Sequence, residues 1–341
     1  MKKYLKLKSK SISFIVIFLL TIIVLYFSLK DNFNSVVNQF LNLNLFWLLI
    51  GFILIVGYWF FASLSMHLIA RKFSNNLELK EVFRINVVTH FFNAVTPFSS
   101  GGQPYQIYAL KKNKINIVDC TNITIQNFVA YQSALIILGT LAIIFNHVFD
   151  LFPDIRLLRI LVIIGYLVNL FVAIGLFAIS FTQKLNRFIL KIMINIGTKF
   201  KLIKDKEEAI TRFNSYVSQF HNSTKLLLKD KKNLVKIVLC NLIGLICLYA
   251  VPLAVLYSTG DFTSFSFIMA IISSAYVMII GAFVPLPGGT GGLEYSFMSF
   301  FGNFVADGKL TTLMLMWRFI TYYFGMIVGA IVLNFSRRQE K

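Results

Sequence analysis

Apolar runs of membrane-crossing length alternate with short polar, lysine-rich stretches along most of this chain. Six runs are long enough to span: Ile12–Leu29, Leu45–Ala70, about Val118 to Phe145, Leu157–Phe181, Ile237–Ser258 and Leu310–Phe335. A helix needs about 20 apolar residues to cross a hydrocarbon core of ~30 Å. Two further runs fall short. Ile85–Phe98 has 14 residues, roughly 20 Å as helix, and Pro97 near its end is followed by Ser-Ser-Gly-Gly at 99–102. Phe267–Val284 is long enough to enter a bilayer but ends in Pro285-Leu-Pro-Gly-Gly-Thr-Gly-Gly-Leu-Glu294, and Leu293–Val305 after it has only 13 residues. Proline removes a donor and glycine favours other conformations, so a helix stops there. Broken backbone at membrane depth is tolerated only where protein or a water-filled cavity surrounds it. Both segments therefore read as re-entrant hairpins.

The two breaks repeat each other. Pro97-Phe-Ser-Ser-Gly-Gly-Gln-Pro-Tyr105 aligns without a gap onto Pro287-Gly-Gly-Thr-Gly-Gly-Leu-Glu-Tyr295, an offset of 190 residues. The same offset lays Leu45–Ala70 over Ile237–Ser258, the Val118–Phe145 run over the last one, and Gly139 over Gly329. Each half is then helix, hairpin, helix, over about 45–146 and 235–336.

Charge sets the orientation. Lys2, Lys3, Lys6, Lys8 and Lys10 precede the first run, and Arg337, Arg338 and Lys341 follow the last. Cytoplasmic loops collect Lys and Arg, which places both termini inside a cell membrane. Lys80, Arg84, Lys111, Lys112 and Lys114 bracket the first hairpin, so it enters from inside. Between Lys236 and Lys309 there is no Lys or Arg, so the second enters from outside. The two halves form an inverted-topology repeat, an arrangement whose site lies where the broken segments meet. Residues 182–236 hold 13 Lys or Arg against 4 Asp or Glu. Patterns such as Phe188-Ile-Leu-x-Ile-Met and Phe213…Tyr216-Val217…Phe220 predict amphipathic helices lying on an anionic leaflet.

Composition agrees. The 341 residues are 57% hydrophobic and 14% charged, with 36 Phe, against about 45–50% and about 25% in soluble domains. The fold class is an all-α integral membrane protein, with about six spanning helices and two re-entrant hairpins in one transmembrane domain, 1–341. The formal charge of +19 comes mainly from the cytoplasmic side, and no nucleic-acid partner is needed to explain it. Cys120, Cys240 and Cys247 make no disulfide framework, and His67, His90, His147 and His221 are scattered. No cofactor, metal site or nucleophile–base pair is expected.

Two charges stand in apolar surroundings. Glu294 is the sole carboxylate between Asp261 and Asp307, and Arg318 lies eight residues into the last run. Buried charges usually mark a pathway or a pair. Arg318, Tyr322, Gly325 and Gly329 share one helical face, and Gly325 and Gly329 make a packing groove that turns this face into the bundle. Arg318 suits a lipid phosphate through its planar fork, or forms a structural ion pair with Glu294; both readings stand. The glycine turns offer backbone N–H groups to an anionic head group, or simply close packing. Gln103, Tyr105 and Tyr108 are hydrogen-bonding candidates, or satisfied packing residues.

The stretches TPFSSGGQPYQIYAL (96–110), PLPGGTGGLE (285–294) and RFITYYFG (318–325) resemble the flippase-like transmembrane family of lysylphosphatidylglycerol synthases, which includes the membrane region of the multiple peptide resistance factor. By position, Pro97, Gly101, Gly102, Pro287, Gly288, Gly289, Gly291, Gly292, Glu294 and Arg318 match its motifs. The resemblance implies movement of phosphatidylglycerol or its lysyl ester between leaflets; the aminoacylated lipid makes the surface less anionic and so resists cationic antimicrobial peptides. Full-length synthases carry a soluble domain that takes lysine from lysyl-tRNA, whereas six residues follow the last run here. The expectation is translocation without lysyl transfer. The alternatives are a phosphatidylglycerol lysyltransferase, as the family label implies, or a non-catalytic partner of a separately encoded lipid or glycan enzyme. A homo-oligomer or a separate synthase is the expected protein partner.

Overall fold

The computed structural model describes residues 38–152, 156–199, 206–281 and 284–339. The lysine-rich N-terminus and the expected Ile12–Leu29 span lie outside the described residues.

Among the described residues the chain is helical, and five helices are long and apolar enough to cross a membrane. They coincide with the five runs expected in this region. α1 (Leu45–Ala70) starts where the Asn44 side chain accepts from the Phe46 N–H at 2.9 Å. That bond satisfies one of the donors a helix start leaves free. α2 (Leu79–Ala94) begins among the charges of Leu-Lys-Glu and stops before Pro97, since the residue preceding a proline is pushed out of the helical region. A single 3₁₀ turn, Pro97–Ser99, leads into α3 (Gly102–Lys112). α4 (Ile117–Phe149) is capped by the Asn116 side chain at 3.1 Å. It runs four residues past the expected end, until Asp150 takes a left-handed conformation. α5 (Arg156–Phe181) returns.

α6 (Gln183–Lys199) and α7 (Lys206–Leu228) occupy the basic segment as two amphipathic helices. The expectation that α7 spends its apolar stripe on a lipid surface needs correction. Val217, Phe220 and Leu227 are buried, and Asn122 of α4 donates to Phe220 O and Thr224 Oγ1, both at 2.9 Å. Protein thus covers much of the stripe, while Tyr216 stays exposed.

α8 (Lys231–Ser258) packs along the length of α1. Small residues bring the two close. A methyl group at Gly244 would touch Tyr58 and Phe61 at about 3.5 Å, and Asn241 Nδ2 donates to Ser65 Oγ at 2.7 Å. α9 (Phe267–Gly281), the 3₁₀ turn Pro287–Gly289 and α10 (Gly292–Phe301) form the second broken hairpin. α11 (Asp307–Arg318) passes through a π-helical turn, Phe319–Tyr323, into α12 (Phe324–Gln339). Such wide turns occur often at functional sites. Large apolar side chains on α1, α4 and α5, among them Phe46, Ile53, Leu141 and Phe171, are exposed, as lipid-facing residues are.

Candidate functional site

The turns Pro97–Ser99 and Pro287–Gly289 pack against each other. Tyr322, from the π turn, joins them. Its hydroxyl donates to Ala94 O at 3.0 Å, at the end of the first hairpin's helix. Its ring lies so close to Gly288 that any side chain at Gly288 would overlap it. Gly288 also has φ 63°, a conformation glycine adopts without cost.

The two charges singled out by sequence meet. Arg318 Nε donates to Glu294 Oε1 at 2.6 Å, and both side chains are at least nine-tenths buried. Glu294 Oε2 accepts from the Gly291 N–H at 2.7 Å, at the start of α10. Arg318 Nη2 donates to Gly288 O at 3.1 Å, and the guanidinium lies 4.8 Å from the centre of the Tyr322 ring. Each charge thus satisfies backbone groups that the proline break leaves without helical partners. The pair ties α10 and the second turn to α11. A buried ion pair of this kind is weak evidence for stability, because desolvation opposes the attraction. Its geometry fixes position.

Two adjoining chambers open beside the turns. The larger, about 360 Å³, is lined by α1, α2, α3, α4, α5 and the second hairpin. The smaller, about 190 Å³, reaches Arg318, Thr321 and Tyr322. Tyr58, His90, Asn93, Ser99 and Gly288 line both. Of the residues singled out by sequence, Gln103, Gly288 and Gly289 line the larger chamber, and Gly288, Arg318 and Tyr322 the smaller. Gly101 and Tyr105 lie instead at a separate depression with Glu81, Arg84 and Lys112. Tyr108 is also there, with the Lys112 ammonium 5.2 Å from its ring centre. Pro97 and Pro287 open the two turns, and Gly291 and Gly292 start α10.

The glycine N–H groups expected to face an anion are largely taken within the protein. Gly101 N donates to Thr96 Oγ1 at 2.8 Å and Gly102 N to Asn93 Oδ1 at 2.9 Å. Gly289 N donates to Leu286 O at 2.9 Å, and Gly291 N is held by Glu294. At these positions close packing and local capping replace the expected anion cradle. A methyl group at Gly102, for instance, would run into Asn93 and Thr89. Sequence reasoning missed Asn93 and Thr96, which close the first turn, and His90, Tyr58 and Tyr131, which line the chambers.

The family model for the lysylphosphatidylglycerol synthase TM region matches residues 12–329. The chain belongs to that family. It is also similar to a UPF0104 membrane protein of Archaeoglobus fulgidus, 24% identical over 307 residues, covering 86% of this chain and 88% of the relative. Family membership and five apolar helices together make this a multi-pass membrane protein.

Proposed function

We propose that the protein moves phosphatidylglycerol, its lysyl ester or a related anionic or aminoacylated lipid between membrane leaflets. One observation carries this reading. Two broken helices meet tip to tip at a polar chamber, and a buried arginine stands at its edge. Interrupted helices around a central polar site are how many transporters hold a head group away from hydrocarbon. Arg318 supplies the phosphate partner, and Glu294 holds it until a lipid arrives.

The hairpins are re-entrant in this reading. α2 and α9 have 16 and 15 residues, about 24 and 22 Å of helix, less than the ~30 Å core. An inverted repeat is supported by the turns and by two glycines. Phe98 and Ser99 have φ of 53° and 50°, and Gly288 and Gly289, 190 residues on, have 63° and 65°. Gly139 of α4 faces Ile279 of α9, while Gly329 of α12 faces Val87 and Phe91 of α2. Moved by the same offset, Ile279 falls at position 89, between Val87 and Phe91. Each half thus lends its glycine to the other half's hairpin.

The basic α6–α7 segment and both termini are cytoplasmic in this reading. Cysteines placed at Ser215 and Thr263, with Cys120, Cys240 and Cys247 replaced, test it with an impermeant thiol reagent on intact cells. Thr263 labels and Ser215 does not; outside labelling of Ser215 overturns the topology. Resistance to cationic peptides would follow where the lipid carried outward is the lysyl ester, which makes the outer leaflet less anionic.

Transport is tested in proteoliposomes holding fluorescent phosphatidylglycerol and lysyl-phosphatidylglycerol in separate arms, with an impermeant quencher outside. The protein exposes inner-leaflet lipid to the quencher in at least one arm, at several times the rate in empty vesicles. Equal rates in both arms with and without protein overturn the reading. Lysyl-lipid formed from added lysyl-tRNA by the purified chain favours a lysyltransferase instead.

A further inference from the structure

The larger chamber is polar without being charged. Among the described residues no Asp, Glu, Lys or Arg lines it; its polar wall is built from amides, hydroxyls and one imidazole. Several of these groups are committed to the fold. Asn86 donates to Trp59 O at 3.3 Å and Ser63 Oγ at 3.1 Å, and Asn169 to Gly165 O at 2.8 Å. Others are not. His90 Nε2 is fully buried and has no hydrogen-bond partner among the described residues. Gln103 and Gln106 line the same chamber from consecutive turns of α3, and their amides make no hydrogen bond among the described residues. Tyr58 and Tyr131 complete this side with aromatic faces.

A buried polar atom left without a partner, as His90 Nε2 is, costs about 1–3 kcal/mol, and the Gln103 and Gln106 amides line the chamber with it, so the chamber is shaped for something that supplies their bonds. An ammonium group is poorly matched, since no carboxylate among the described residues lines the chamber to offset its desolvation, and Glu294 of the second hairpin is engaged by Arg318 and Gly291. Neighbouring hydroxyls match well. Each can donate to an amide oxygen or an imidazole nitrogen and accept from an amide N–H, and the C–H face of a polyol packs on an aromatic ring.

We propose that the larger chamber binds an uncharged, hydroxyl-rich head group, glycerol or a sugar, and selects it over an aminoacylated one. The inference rests on the lipid-translocation reading and narrows its substrate: Arg318 takes a phosphate where one is present, while Gln103, Gln106 and His90 read hydroxyls. The same chemistry comes from phosphatidylglycerol or from a glycosyl diacylglycerol.

Binding separates this inference from transport. The full chain, in detergent micelles, is offered equimolar phosphatidylglycerol, glucosyl-diacylglycerol and lysyl-phosphatidylglycerol, and the lipids retained are counted by native mass spectrometry. At least one hydroxyl-ended lipid is retained about tenfold over the lysyl ester. Which one it is tells glycerol from sugar. Gln106→Leu and His90→Phe each cut that preference several-fold. Gln106→Glu, which sets a carboxylate into the chamber, shifts retention toward the lysyl ester, a change that loss of folding cannot mimic. Melting curves identify any variant that fails to fold. Equal retention of all three lipids, preference for the lysyl ester by the unaltered chain, or an unchanged preference in well-folded Gln106→Leu and Gln106→Glu proteins overturns the inference. A chain that selects hydroxyl-ended lipid yet moves none in proteoliposomes leaves this inference standing and removes the transport reading.

Discussion

The turns at Pro97–Ser99 and Pro287–Gly289 share two consecutive left-handed residues and are held in place by opposite means. In the first, neutral side chains just ahead of the turn close it: Thr96 Oγ1 takes the Gly101 N–H and Asn93 Oδ1, near the end of the preceding helix, the Gly102 N–H. In the second, the N–H of Gly291, which aligns with Gly101, goes to a carboxylate from the following helix, and an arginine of another helix clamps that carboxylate. The left-handed positions differ as well. The second turn fills them with Gly288 and Gly289, the first with Phe98 and Ser99, at a cost of roughly 1–2 kcal/mol per non-glycine residue. One turn is relaxed in its backbone and depends on a remote charge. The other is strained and closes itself. The first turn closes without a partner helix, whereas the charged clamp ties the second turn to α11.

The sharpest break in this comparison is the clamp itself. Arg318→Gln leaves Glu294 buried with its charge uncompensated, and unfolding in detergent should show a loss of about 3–5 kcal/mol. Glu294→Gln with Arg318→Gln together should recover most of it. Lipid transport then separates the two roles of the arginine. A well-folded double variant that moves lipid normally makes the pair structural; one that folds and fails places Arg318 on the lipid's path. If Arg318→Gln unfolds no more readily than the double variant, the clamp is not what holds the second turn.

Backbone strain gives the next effect. Gly288→Ala adds a methyl group inside the space of the Tyr322 ring and puts a Cβ on a left-handed residue. Overpacking and strain together should cost about 2–4 kcal/mol. Phe98→Gly, at the matching place, removes strain but loosens the unfolded chain and should fall within about 1 kcal/mol of the parent. Melting temperatures of the two variants test this. Equal losses at both sites would mean that backbone strain at Phe98 is not what distinguishes the two turns.

Much of this contrast was visible before any coordinates. The five described spans follow from unbroken apolar runs, both breaks from Pro97 and Pro287, and the Arg318–Glu294 pair from two charges where no others occur. Charge and proline are legible because each is costly in a membrane helix unless something compensates. The neutral clasp was not. Asn93 and Thr96 lie in a sequence of mixed polarity where a hydrogen bond to a residue five or nine places on leaves no periodic trace. His90, Tyr58 and Gln106 are single polar residues on three different helices, and only the packing of α1, α2 and α3 gathers them at one chamber. The π turn at Phe319–Tyr323 was hidden too, since its one extra residue per turn has no composition of its own.

The neutral clasp should yield a smaller loss than the charged one. Thr96→Val keeps the shape of the side chain and leaves the Gly101 N–H without its acceptor, costing about 1–3 kcal/mol. Amide hydrogen exchange at Gly101 and Gly102 should rise by at least tenfold, while exchange at Gly291 stays unchanged. Faster exchange at Gly291 as well would show that the two turns open together rather than independently.

The smallest effect sits at the loop that leads into the second hairpin. Asp261 accepts from Ser264 Oγ at 2.6 Å, Ser264 N at 3.0 Å and Thr263 N at 3.1 Å, and reaches Lys309, at the start of α11, at 3.4 Å. The Ser264 hydroxyl first, and then these N–H groups and Lys309, hold its carboxyl below the ordinary carboxylate range. A group whose value is depressed by folding stabilises the protein above its unfolded value and loses that contribution as pH falls toward the folded one. Asp261→Asn keeps an oxygen for the two backbone N–H groups and loses the charge. The parent should therefore exceed the variant by less than about 1 kcal/mol at neutral pH, because Lys309 is well exposed and such pairs are weak. The margin should narrow as pH is lowered from about 5 to about 2, across the unfolded carboxylate value. Melting temperatures of both chains over that span, at low salt, measure it. A margin that does not shrink would assign the stabilisation to hydrogen-bond geometry, leaving the clamp at Glu294 as the one charge on which the second hairpin depends.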